Sequence, residues 1–214
     1  QHVPFVLGMT SPVYALFQEK TGADNPAEYW DFDARGIGFR NPSQKVDYSP
    51  YLPGDLPEGT VIDEWGIANV PGSMYHFTKM VHPLQDAKTV QDVEKFPWPD
   101  PLDPARFIGI KEKAERIVYE EKKAYVCGRM SAGMWEHAMW MTGYEKFFMD
   151  MYMNPVVVQA IMEKILEVKM QYWERALEAV GENVLVASCA DDLGTQTGLL
   201  VDLELYKELI WPYH

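Results

Sequence analysis

The sequence predicts an α/β fold in which helices cover a parallel sheet. Three observations carry that expectation. Short runs such as Ala124–Gly128 and Asn183–Ser188 are largely apolar, as strands buried on both faces are. Long amphipathic stretches with helical spacing lie between them, the longest from Pro155 to Val180. Strand and helix alternate along the chain, which is the pattern of parallel units rather than hairpins. The pattern alone does not separate a closed barrel from an open doubly wound sheet. No strand is followed by the glycine fingerprint of dinucleotide-binding folds, which counts against the open sheet.

The elements follow in order. Val3–Gly8 is an apolar run stopped by Gly and reads as the first buried strand. Ser11 with Pro12 then opens a short helix through Lys20. Residues 25–57 are rich in Pro, Gly, Asp and Tyr and read as a long excursion with short extended pieces such as Gly36–Phe39. Thr60–Gly66 is expected to be a strand running into a loop, with Ser73–Met80 facing it as a hairpin. Thr89 caps a short helix through Phe96, and the prolines of Pro97–Pro101 make a rigid connector. Asp103 with Pro104 opens a long helix to Lys123. After the strand at Ala124–Gly128 come helices over Ser131–Met141, Tyr144–Met153 and Pro155–Val180, the last ended by Gly181. A buried strand at Asn183–Ser188, a polar turn over Cys189–Thr197 and a helix over Leu203–Trp211 complete the chain.

Composition excludes several classes of function. A net charge of −13 repels phosphate backbones and anionic lipid heads, so nucleic acid and membrane surfaces are poor partners. No apolar run reaches the ~18 residues of a membrane span. Val3–Met9 lacks the positive flank and cleavage site of a signal peptide. Two cysteines far apart make no disulfide framework, and a cytoplasmic protein is the default. The chain opens on Gln1 and stops at His214 directly after a helical run, so it is expected to be a piece of a longer protein.

The segment Ala190–Tyr213, with Asp191, Asp192, Leu193, Gly194, Thr195 and Gln196 at its head, resembles the uroporphyrinogen decarboxylase superfamily. The likeness is to its methyltransferase-like, corrinoid-dependent branch. Asp63–Gly66, Pro83–Leu84 with Pro97–Pro101, and Met134–His137 through Gly143–Glu145 match in the same order. The resemblance implies a single (β/α)₈ TIM-type barrel, incomplete in a chain of 214 residues, with its pocket at the carboxyl ends of the strands. It also implies closing strands after His214, and with them the main zinc ligands of the methyltransferase branch.

Asp191 and Asp192 follow directly on a strand, where barrel enzymes place reactive groups. Adjacent carboxylates point different ways, so one could face the pocket while the other caps the turn. Glu136 lies on an apolar helix, where a buried carboxylate must be paired, metal-bound or protonated. Asp63 ends its strand and falls where the resemblance puts an aspartate that binds pyrrole N–H groups; it could equally cap the next turn. These four are the catalytic candidates, and Asp191 or Asp192, Glu136 and Asp63 are expected to converge on one cavity. Trp65, His137, Trp140 and Gln196 are candidates for substrate binding, with Thr195 a weaker polar group on the same turn. Glu136 and Cys189 are the candidate metal ligands within the chain. Cys127 reads as an inert core thiol, and His76 and His82 receive no role.

Decarboxylases of this superfamily hold a substrate with eight carboxylates and carry an Arg-Gln-Ala-Gly-Arg segment. Arg35 and Arg40, in Ala34–Arg40, do not form it. The expected activity is therefore corrinoid-linked methyl transfer to or from a small molecule, with zinc and a corrinoid protein as cofactor and partner. Tetrapyrrole decarboxylation without a cofactor is the alternative, and a non-catalytic binding protein on the same fold is a third. A homodimer is compatible with either enzyme.

Overall fold

The computed structural model describes residues 3–72, 78–127 and 132–214. Its centre is a parallel sheet of order β1-β5-β6, formed by β1 (Ala34–Ile37), β5 (Ala124–Cys127) and β6 (Val186–Ala187). Arg35 pairs in register with Tyr125 and Ile37 with Cys127, and all four are buried. Alternate residues of a strand share a face, so these positions make one buried face of the sheet. Arg35 is tolerated there because its guanidinium meets Glu121 at 3.4 Å and Asp31 at 3.1 Å.

The α/β class is thus borne out, with two corrections to its strands. Val3–Gly8 is not a strand: the segment is largely exposed, and Phe5 ties it to the residue before β1, its N–H donating to the Asp33 carboxylate at 2.8 Å. The first strand is instead Ala34–Ile37, inside the stretch expected to be an excursion. Asn183–Ser188 forms a strand only at Val186–Ala187, and it is largely unburied: Leu185 is 72% exposed. Among the described residues β6 pairs on one side alone, and Val186 is 45% exposed.

A second sheet is an antiparallel meander of β2 (Val61–Ile62), β3 (Ala68–Pro71) and β4 (Thr78–Val81). The partner of the strand near Val61 is Ala68–Pro71, not the Ser73–Met80 segment, of which residues 73–77 lie outside the described residues. The turn between them is tight because Gly66 adopts φ 80° and Asp63 accepts two amides beyond it.

Around these sheets the helices follow the sequence closely, with one break. α1 (Ser11–Thr21) takes Ser11 into its first turn, with Thr10 rather than Ser11 at the N-cap. α2 (Pro26–Tyr29) is capped by Asn25, and α3 (Val90–Lys95) by a reciprocal box between Thr89 and Asp92. The long helix expected over Asp103–Lys123 is divided. Asp103 caps a 3₁₀ turn over Pro104–Phe107, Gly109 at φ 76° interrupts, and α4 (Ile110–Glu115) runs on into a π turn. A left-handed residue cannot continue a right-handed helix.

α5 (Trp135–Thr142), α6 (Tyr144–Met153) and α7 (Pro155–Val180) turn on Gly143 and Asn154. α5 begins later than expected, and Ser131 lies outside the described residues. α7 buries Val158, Ile161, Ile165, Val168, Tyr172 and Ala176, the stripe its helical period dictates. α8 (Leu203–Leu209) is capped by Asp202. Among the described residues no helix is long and apolar enough to cross a membrane.

Candidate functional site

Beyond the carboxyl ends of β5 and β6 lies a cleft of about 530 Å³. One wall comes from α5 and the start of α6, through Glu136, Met139 and Tyr144. The other is the turn after β6, through Asp192, Gly194, Thr195, Gln196 and Leu200. That turn is closed on itself. Gly194 bridges Leu199, the Thr195 amide donates to the Gly198 carbonyl at 2.7 Å, and the Thr195 hydroxyl accepts from the amides of Thr197 and Gly198. The sequence signal for it is the pair of glycines in a polar stretch. The Gln196 side chain is left to the cleft.

Asp191 and Asp192 divide the two roles open to them. Asp192 is exposed and lines the cleft. Asp191, whose side chain is 6% exposed, points under α5. Its carboxylate accepts the amides of Met134 at 2.7 Å, Trp135 at 3.0 Å and Glu136 at 2.8 Å. These are orphan donors at a helix start, and Met134 at the N-cap has no side chain able to take them. His214 adds a bond from Nε2 at 2.8 Å, and its Nδ1 meets the Tyr206 hydroxyl at 2.9 Å. The approach depends on Gly133: a Cβ there would stand 2.2 Å from the Asp191 Cγ.

Glu136, Asp192 and Gln196 are therefore brought together, with Thr195 beside them. Asp63 is not. It lines no part of the cleft, and its Oδ1 accepts the amides of Trp65 at 2.9 Å and Ile67 at 3.0 Å, the turn-capping arrangement. Burial pushes its carboxyl above the ordinary aspartate range against the opposing pull of those amides. The expected convergence of all the acidic candidates on one cavity fails at this member.

Trp65, His137 and Trp140 are also away from the cleft. Trp65 is 1% exposed and His137 fully buried, their ring centroids 4.0 Å apart. The Lys169 ammonium stands 5.5 Å from the Trp65 ring centroid and donates to the Ala132 carbonyl at 2.6 Å. Burial, reinforced by that charge, holds the His137 imidazole neutral, well below the ordinary histidine range. Trp140 is half-buried, and its carbonyl meets His82 Nδ1 at 2.7 Å. Trp65 and His137 are packing, because His137 lies on the side of α5 turned toward α7 and rests against the Trp65 ring of the meander turn. Ala138 and Met141 complete that buried side, while Trp140, four residues on from Glu136, shares the Glu136 side of the helix.

Cys189 is exposed, and among the described residues no three His, Cys, Asp or Glu side chains come together as a metal set. Glu136 and Cys189 do not by themselves make the tetrahedral donor shell that zinc takes. Sequence reasoning missed Tyr144, Met139 and Leu200 as lining residues and His214 as the partner of Asp191. Only Gly133, a glycine directly ahead of a helix, carried a readable signal of close approach.

Comparison with curated proteins and with solved structures found no match. The sequence model of the uroporphyrinogen decarboxylase (URO-D) family matches residues 65–214, a span that holds β3 through α8 and both walls of the cleft. The chain belongs to the uroporphyrinogen decarboxylase family.

Proposed function

We propose that the protein is a methyltransferase of this family, moving a methyl group between a small molecule held in the cleft and the cobalt of a corrinoid protein. The observation that carries this reading is the chemistry of the cleft. Its described lining has two carboxylates, Glu136 and Asp192, and no Lys or Arg. A substrate with eight carboxylates would meet repulsion there, whereas a small neutral or cationic methyl carrier would not. Arg35 does not serve such a substrate either, since it is buried and committed to Asp31 and Glu121.

The position of the cleft, past the carboxyl ends of two parallel strands, supports reading β1, β5 and β6 as part of a (β/α)₈ barrel wall. When the methyl leaves a neutral oxygen or sulfur, the bonding pair stays on that atom and a proton must reach it, whereas a cationic ammonium carrier departs as the neutral amine. Asp192 and Glu136 face the cleft and are the groups to supply that proton, or to remove it in the reverse direction. Gln196 and Thr195 orient the carrier. Among the described residues no donor set composes a zinc site, so no step is assigned to a metal.

The test is to mix the full chain with reduced cobalamin and a panel of methylamines, methanol and methoxy compounds. Growth of the methylcobalamin spectrum is the expected result. Release of CO₂ from uroporphyrinogen, without methyl transfer, would overturn it in favour of decarboxylation.

A further inference from the structure

We propose that Asp191 is a positioning residue which fixes Glu136 and Asp192 relative to each other across the cleft. The inference rests on the cleft being the reacting site. Glu136 is held at its backbone: its amide donates to Asp191 Oδ1 at 2.8 Å, while the amides of Met134 and Trp135 take Oδ2. Asp192 is the next residue in the chain, so its Cα lies one peptide, about 3.8 Å, from that of Asp191. One carboxylate thus ties the backbones that carry both cleft acids, although they come from opposite walls.

A cap serving α5 alone would come from the residue before it. Here it comes from the turn after β6, so ordering the helix start also orders the second wall. The junction is built for contact at this point. A side chain at Gly133 would meet Asp191 Cγ at 2.2 Å and the Ala190 carbonyl at 2.3 Å, so only glycine lets the strands' two exit segments close. From the far side His214 Nε2 meets Asp191 Oδ2 at 2.8 Å and is itself held by Tyr206 of α8. The Asp191 side chain has almost no solvent to turn toward.

The test compares Asp191→Asn with Asp192→Asn in the full chain, by amide chemical shifts and by methyl-transfer kinetics. Asp191→Asn removes one acceptor and turns an NH₂ toward the helix amides. The expected result is upfield movement of the 134–136 amides, a shifted Asp192 amide, and a lowered melting temperature with the remaining amide shifts in place, so that the variant is folded. A misplacement of about 1 Å should lower kcat ~100-fold with KM held within ~3-fold. Asp192→Asn should lower kcat while leaving the 134–136 amides in place.

Loss of turnover in Asp191→Asn with those amides unmoved would overturn the proposal, because Asp191 would then act on the substrate itself. Moved amides with unchanged kcat would also overturn it, leaving a cap and nothing more. If the parent protein transfers no methyl group, the functional reading fails by itself. The amides of Glu136 and Asp192 then decide the positioning: both moving together in Asp191→Asn supports it, and either staying still refutes it. The parent alone offers a check that needs no variant, since the 134–136 amides should exchange slowly with solvent. Free exchange there would refute the carboxylate clamp.

Discussion

The imidazole of His137 lies against the indole of Trp65, ring centroids 4.0 Å apart and planes inclined by 57°. Neither of its nitrogens has a hydrogen-bond partner among the described residues. A ring buried in this way folds neutral, and charging it means opening the core.

Acid should therefore unfold the protein through His137. Its folded pKa is depressed, so the unfolded chain binds the proton more readily. The stabilising contribution is complete above about pH 6.5 and is lost as pH falls below it, at up to ~1.4 kcal/mol per pH unit for one group. Urea midpoints between about pH 5 and 8 measure this, that window spanning the ordinary histidine pKa. His137→Phe should flatten the curve, and an unchanged slope in that variant would assign the acid limb to other groups.

Arg106 is 2% exposed, donates from Nε to the Asp100 carbonyl at 2.9 Å, and pairs its guanidinium with Glu64. Arg106→Met should destabilise by about 2 kcal/mol, less than the ~3–5 kcal/mol of breaking a fully buried pair, because the Glu64 side chain is 28% exposed. Glu64 with its partner gone can turn outward. A loss below ~0.5 kcal/mol in chemical denaturation, the range of ordinary surface substitutions, would mean that the pair is only a surface contact.

Two glycines separate backbone strain from crowding. Gly22 at φ 71° has nothing within 4 Å of where a Cβ would stand, whereas at Gly66, φ 80°, a Cβ would meet the Tyr48 ring at 2.6 Å. Gly22→Ala should cost only the left-handed conformation, about 1–2 kcal/mol. Gly66→Ala should cost clearly more, read as the larger drop in melting temperature. Equal drops would show that Tyr48 moves aside freely.

Thr89 and Asp92 cap α3 reciprocally, the Asp92 amide donating to the Thr89 hydroxyl at 3.2 Å and the Thr89 amide to Asp92 at 2.9 Å. Thr89→Ala should lose about 1 kcal/mol and Thr89→Ser almost nothing. A thermal melt of the two variants checks the difference.

The helices were legible because their signals are local. The apolar period of α7 and the Thr89 cap lie within a few turns of chain, and both appear where the sequence puts them. The sheet was harder. Val3–Leu7 has the composition of a core strand yet stays exposed, while β1 holds Arg35 and Gly36 and has no apolar run to announce it. What makes Ala34–Ile37 a strand is the register with Ala124–Cys127, a pairing no window of sequence contains.

The site divides in the same way. Asp192 and Gln196 were readable from the polar turn just past a strand, and Glu136 as a lone carboxylate on an apolar helix. Which of two adjacent aspartates turns inward was not, because the choice is made by amides on a distant helix. His137 was misread for a related reason. Only packing against α7 and the meander shows which side of α5 is sealed.

The order of assembly follows from the parallel sheet. Ala34 finds Ala124, and Val126 finds Val186, only after long intervening segments have been gathered in. The α5, α6 and α7 hairpins close over short connections at Gly143 and Asn154. Loop closure costs more entropy as the loop lengthens, so nearby pairings come first. In a refolding pulse with hydrogen exchange, amides of α7 should gain protection ahead of those in β1 and β5. The strands would then arrive on a helical surface already formed, and Lys169, reaching from α7 to the Ala132 carbonyl, would be among the first bonds to join the two.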